Sequence, residues 1–180
     1  MSLSPSARAL ALRCEGQVNE LARRMARGVF ERLPGYGELP ADVKDVEIAA
    51  TARQAMRSFL RNAGSGDGGL ELFQERAVQR AEEGMPLHLL LRTYTLGAQV
   101  LWQALEEAAR SGEEAALVEL GGALLASQGR VVGAVAESYL DEQAALAAEH
   151  RERRRALARA LLDGTPHPDR PAPGRALINI

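Results

Sequence analysis

Apolar residues recur at intervals of three and four almost from end to end of this 180-residue chain. That spacing puts them on one side of an α-helix and does not fit the strict alternation of a half-buried strand. Alanine, leucine, glutamate and arginine dominate, all of them strong helix formers. Aromatics are only 4% of the chain, and the β-branched runs of a sheet protein are missing. The fold class is therefore all-α: a single helical domain of about five main helices, ending in a long C-terminal helix.

The breakers divide the pattern. A first helix is expected from about Pro5 to Leu33, with the stripe Leu10, Cys14, Val18, Leu21, Met25, Val29 and Leu33, stopped by Pro34-Gly35-Tyr36-Gly37. A second follows Pro40 and carries Ile48, Ala52, Met56, Phe59 and Leu60. The glycine-rich run Gly64 to Gly69 reads as a loop. A third, shorter helix has Leu70, Phe73, Ala77 and Ala81 on one face. Gly84 stands where a C-terminal glycine cap belongs, and Pro86 where a first-turn proline does. The fourth helix spans about Pro86 to Arg110. Ser111 and Glu114 form a capping-box pattern for the fifth, which is expected to run from Gly112 to Leu162, with or without a break. The prolines after Gly164 end regular structure. Residues 1–149 thus read as the helical domain, 150–164 as a basic linker helix, and 165–180 as a disordered tail or truncated junction.

Composition narrows the function. Charged residues are 26% of the chain and the net charge is −2, so no overall field recruits nucleic acid or anionic lipid. Cys14 is the sole cysteine, which rules out an internal disulfide and fits a reduced, cytoplasmic setting. No apolar run reaches the ~20 residues of a membrane span, and no signal peptide is evident. The three histidines are scattered, so no metal site is expected. Gly64 to Gly69 lacks the lysine of a phosphate-binding loop. Glu82-Glu83 and Glu106-Glu107 are adjacent pairs, which diverge by about 100° on a helix and make no acid–base dyad. Neither catalytic residues nor a cofactor is expected.

Two helices look buried on more than one side. In the fourth, Leu87, Leu90, Leu91, Tyr94, Ala98, Leu101, Trp102 and Leu105 form a broad apolar arc, and Leu89, Leu96 and Val100 a second. Between them lies a polar wedge that includes His88, Arg92, Thr95, Gln99 and Gln103. The wedge reads either as a solvated strip or as the lining of a ligand pocket; in the second reading Arg92 is the anion anchor and Gln99 orients the ligand. The fifth helix carries a large face (Leu117, Leu124, Leu125, Val132, Val135, Tyr139) and a small one (Gly122, Ala126, Gly129, Gly133, Ala136). Interior glycines cost a helix about 1 kcal/mol each relative to alanine, so three in one stripe suggest close approach by another helix, from the same chain or from a homodimer partner. The basic segment from His150 to Arg155, with Arg159, is either a phosphate-binding cluster or a solvated helix.

The block Arg80-Ala81-Glu82-Glu83-Gly84-Met85-Pro86-Leu87, then Leu90-Leu91-Arg92-Thr93-Tyr94 and Leu96-Gly97-Ala98-Gln99-Val100-Leu101-Trp102, resembles the N-terminal helical domain of actinobacterial PucR/CdaR-type transcriptional regulators. That domain is similar to the N-terminal domain of the stressosome co-antagonist RsbRD. Phe73 to Ala77 fits as well, and Arg154 to Gly164 resembles the helix leading into such a regulator's central domain. The resemblance implies a non-catalytic signal-input and dimerisation domain, which controls a central domain and a helix-turn-helix in cis that are absent from this stretch. It also implies a helical arrangement like that of a globin, but no haem is expected, His88 being the one candidate ligand. Specific DNA binding by this segment is not expected, and neither is membrane association. Two other readings stand beside it: a stressosome scaffold that binds proteins alone, and a stand-alone sensor of a small-molecule effector.

Overall fold

In the computed structural model, residues 3–33, 41–62 and 69–162 are described, with the side chains of 41–46 excepted. Six helices follow in order: α1 (Pro5–Glu15), α2 (Val18–Arg32), α3 (Ala41–Asn62), α4 (Leu70–Glu82), α5 (Leu87–Ala108) and α6 (Glu114–Leu162). No strand occurs among the described residues. The described residues divide into two units at Glu142, the body of the domain and the remainder of α6 from Gln143 onwards. The expected stops at 34–37 and after 164, and the tail 165–180, lie outside the described residues.

The single first helix of the sequence reading is two. Gln17 N–H donates to the Cys14 carbonyl at 3.0 Å, a tightened last turn that ends α1 at Gly16 before α2 restarts. The break does not disturb the buried side: all seven stripe residues from Leu10 to Leu33 are at most 5% exposed. Burial of so long a stripe supplies the hydrophobic drive that holds the α1–α2 pair against α3 and α5. Ser4 caps α1, its Oγ accepting from the Ala7 N–H at 3.2 Å.

Between α4 and α5 the chain turns through a complete Schellman motif. Gly84 has φ +72°, its N–H donates to the Ala81 carbonyl, and the Met85 N–H reaches back to Arg80. Pro86 then sits just ahead of the first turn of α5 rather than inside it. The capping box at the start of α6 does not form. Instead Glu113 accepts from the Arg110 N–H at 2.9 Å and Glu114 from the Gly112 N–H at 3.1 Å. Two glutamates at a helix N-terminus favour this arrangement, since their charge opposes the helix dipole. α6 then continues unbroken to Leu162.

Helix α5 is central, with Leu90, Leu96, Val100, Leu101 and Leu105 all buried. Two glycines let helices close on it. A Cβ on Gly97 would lie 3.0 Å from Met25 Sδ on α2, and one on Gly121 of α6 would lie 2.9 Å from the Trp102 ring. Tyr139 fixes α6 further along by donating from its hydroxyl to the Met85 carbonyl at 2.6 Å.

Carboxylates tie α1 to α6. Glu119 accepts from the Ser4 hydroxyl at 2.6 Å and from the Ser4 N–H at 2.9 Å, and Glu113 pairs with Arg13. The Ser4 hydroxyl and N–H hold the Glu119 carboxyl below its ordinary range. The Arg110 N–H and then the Arg13 guanidinium do the same for Glu113. A lowered folded-state pKa gives stability that is present above the unfolded pKa and is lost as pH falls through the folded one. The N-terminal helix is therefore expected to loosen as pH drops below about 4. Amide exchange across α1 checks this: protection should fall with acid in the wild type and depend less on pH in Glu119→Gln.

Candidate functional site

The five polar wedge residues share one exposed strip of α5. Thr95 Oγ1 donates to the Leu91 carbonyl at 3.0 Å, and Gln103 accepts from Arg24 at 2.9 Å. His88, Arg92 and Gln99 are exposed along the same line. None of the five lines the cavity of the domain, which opens on a neighbouring face of α5 marked by Leu90, Thr93, Tyr94, Gly97, Ala98 and Leu101.

That cavity has a volume of about 180 Å³ and is bounded by α3, α4, α5 and α6, with Met25 of α2 at one end. Most of its wall is apolar. Phe59, Phe73 and Tyr94 line it, three of the chain's seven aromatic residues, together with Met25 and Met56. Phe73 stands edge-on to Tyr94, with ring centroids 5.1 Å apart and an interplanar angle of 86°. The charged part of the wall is mostly self-satisfied. Arg80, only 7% exposed, pairs with Glu47 at 3.0 Å and Glu83 at 2.5 Å. Burial works against the Arg80 charge, but its hydrogen bond to Glu83 and the Glu47 carboxylate more than offset that and strengthen its hold on the proton. Arg76 pairs with the same Glu47 and with Gln79 at 2.7 Å.

The α6 side of the cavity is different. Leu124, Ser127, Gln128, Arg130 and Val131 line it. The Gln128 amide nitrogen is shielded from solvent without a hydrogen-bond partner among the described residues. The sequence reading passed over Gln128, although a signal was present: it is a polar residue between Leu124 and Val131, inside the apolar arc of α6.

Within the body, α6 presents two opposed faces. Ala116, Leu120, Val131, Val135 and Tyr139 are buried. The sequence reading put Leu125 on this face, and the structure corrects that: Leu125 is 76% exposed. At 100° per residue it falls well away from the buried arc and joins the small-residue strip instead. Gly122, Ala126, Gly129 and Gly133 are exposed and Ala136 half-buried. A Cβ added at any of the three glycines would meet nothing within 4 Å, so no described residue of the chain covers the strip. Val118 and Leu140 extend it at the two ends and Leu125 widens it, each of the three more than half exposed. From Ala115 to Leu140, over roughly 38 Å of helix, the strip consists of glycine, alanine, valine and leucine and is bordered on one side by Glu119, Arg130 and Glu137.

Beyond Glu142, α6 carries the basic segment as a helix. Arg153 pairs with Glu149 at 2.5 Å and Arg155 with Glu152 at 3.7 Å, so the acidic residues interleaved there partly neutralise it. No group of histidine, cysteine and carboxylate side chains among the described residues is placed to hold a metal. Cys14 is fully buried, with its thiol against the Ala104 carbonyl at 3.5 Å, and burial raises its pKa, which suits a packing role. No helix of the described residues is long and apolar enough to cross a membrane.

Residues 19–154 fit the family model described as the RsbT co-antagonist protein rsbRD N-terminal domain. No curated protein and no solved structure matches the chain.

Proposed function

The chain belongs to the RsbRD N-terminal domain family, a family of regulatory, non-catalytic helical domains, and we propose that it is the signal-input and dimerisation module of a PucR/CdaR-like transcriptional regulator. It acts as a homodimer, and its output is a helix-turn-helix domain carried in cis. The observation that carries this reading is the uncovered apolar strip of α6. A solvated helix face normally takes polar helix formers, yet here glycine, alanine, valine and leucine stand in solvent along seven turns. Glycine in such a strip lowers helix propensity and is useful where another backbone must come close.

The same helix gives the dimer a way to report. α6 contributes its buried face to the core of the body and is unbroken to Leu162. A change in the core that turns α6 alters the pairing angle of two copies, and a helix shift at an interface is a recognised switching mode. The chain itself leaves DNA alone: its net charge is −2 and two arginines of the basic segment have acidic partners.

A fusion tests the reading. The chain is placed ahead of a monomeric helix-turn-helix domain that binds a palindromic operator only when paired. The fusion is expected to bind the operator, and the same fusion with Leu125→Glu is expected to lose that binding while remaining helical by circular dichroism. A fusion that fails to bind, or a Leu125→Glu fusion that binds as well as its parent, contradicts the reading.

A further inference from the structure

The cavity wall is unevenly matched. On the α4 side, Arg76 and Arg80 share Glu47, and Glu83 and Gln79 complete their partners. Their charge is spent inside the protein. On the α6 side stand two donors with no acceptor among the described residues: the amide nitrogen of Gln128, already out of solvent, and the exposed guanidinium of Arg130 at the rim. A shielded amide without a partner is uncommon in a packed protein and calls for one. Both groups lack the same thing, an oxygen acceptor, and one of them is a cation.

The rest of the wall defines what that acceptor is attached to. Phe59, Phe73 and Tyr94 gather there in a chain with few aromatics, and Met25 and Met56 add polarizable thioethers. Edge-to-face ring contacts and sulfur–ring contacts favour an aromatic guest over an aliphatic one of equal size. The volume of about 180 Å³ is close to the roughly 150 Å³ of an apolar cavity that admits benzene. It accommodates one substituted ring.

We infer that this cavity is a binding site for a small aromatic carboxylate, with the ring among Phe59, Phe73 and Tyr94, the carboxylate bonded by Gln128 Nε2 on the α6 wall, and Arg130 at the rim supplying favourable charge. Among the described residues of the wall, Arg130 is the one guanidinium without a carboxylate partner, so its charge favours an anionic guest. Gln128 supplies the hydrogen bond and gains the partner it lacks. A cationic guest is disfavoured, because Glu47 is committed to two arginines. The site deepens the input reading and rests on it only for the consequence that occupancy is a signal; the binding itself does not depend on dimerisation. Since Gln128 and Arg130 are on α6, a guest that draws on them acts directly on the helix that bears the strip.

Titration of the whole chain with phenylacetate, and separately with toluene, tests this by calorimetry and by ¹H–¹⁵N spectra. Phenylacetate is expected to bind one per chain and to shift the amides around Phe59, Phe73 and Tyr94. Arg130→Ala, a change at an exposed residue that leaves the fold intact, is expected to weaken phenylacetate about tenfold or more and to leave toluene unaffected. Gln128→Leu is expected to weaken phenylacetate and to tighten toluene. Absence of phenylacetate binding to the folded chain overturns the site. So does an affinity for phenylacetate that is unchanged in Arg130→Ala, or toluene binding with no gain for the acid. If the acid binds through Arg130 while the chain proves monomeric, the site stands and the dimer falls.

Discussion

Leu120→Ala is expected to destabilise the domain by about 3–4 kcal/mol, while Leu125→Ala, five residues along the same helix, changes the stability of the folded subunit by less than about 0.5 kcal/mol. Leu120 is fully buried on the face of α6 that packs into the body. Truncating it removes its transfer free energy and leaves a void in a region where α5 and α6 are already close, through Gly121 and Trp102. Leu125 is 76% exposed and has little to lose within one chain. Against a typical domain stability of about 5–15 kcal/mol, the first change is large. Urea unfolding at a concentration low enough to dissociate any dimer reads both values. Equal losses for the two variants would mean that α6 is rotated from the orientation described.

The second large effect is on association. Gly129→Leu with Gly133→Leu is expected to leave the subunit folded and to abolish the dimer. Beyond the helix's own neighbouring backbone, no atom of the described residues lies within 4 Å of a Cβ at either glycine, so two leucines fit without displacing any of them. Each exchange also raises helix propensity by about 1 kcal/mol. The subunit is therefore expected to melt no lower than the wild-type subunit. Between two copies the result is opposite, because side chains placed on the line of closest approach hold the backbones apart. Circular dichroism and sedimentation velocity on the same sample separate the effects. An unfolded variant would show that the strip packs inside the chain, and a folded variant still dimeric would place the interface elsewhere.

Much of the fold was legible in the sequence because it rests on local rules. The seven-residue stripe from Leu10 to Leu33 is buried throughout, since a 3.6-residue period leaves few alternatives for apolar side chains. Gly84 was readable as a cap because a positive φ restricts the choice of residue. The two faces of α5 fell where the wheel puts them. The break at Gly16 was not readable: the buried stripe keeps its phase across it, so periodicity carries no mark of the turn. The failure at Leu125 has another cause. Both sides of α6 are apolar, and an apolar residue on a two-faced helix does not say which face it serves. The cavity was out of reach for a different reason. Its volume is set by how four helices fail to close on one another, which no single segment encodes. Only Gln128, polar within an apolar arc, left a trace of it. The glycines show the same limit: the sequence marks Gly122, Gly129 and Gly133 as a stripe, but the tightest contacts among the described residues are at Gly97 and Gly121.

The reading of this domain as a dimeric input module depends most on whether the α6 strip pairs with a second copy. Sedimentation equilibrium of the wild-type 180-residue chain, of subunit mass 19.4 kDa, measures that directly across the micromolar range. The expected result is a dimer that dissociates only on dilution. A chain that sediments as a monomer at high micromolar concentration would contradict the account.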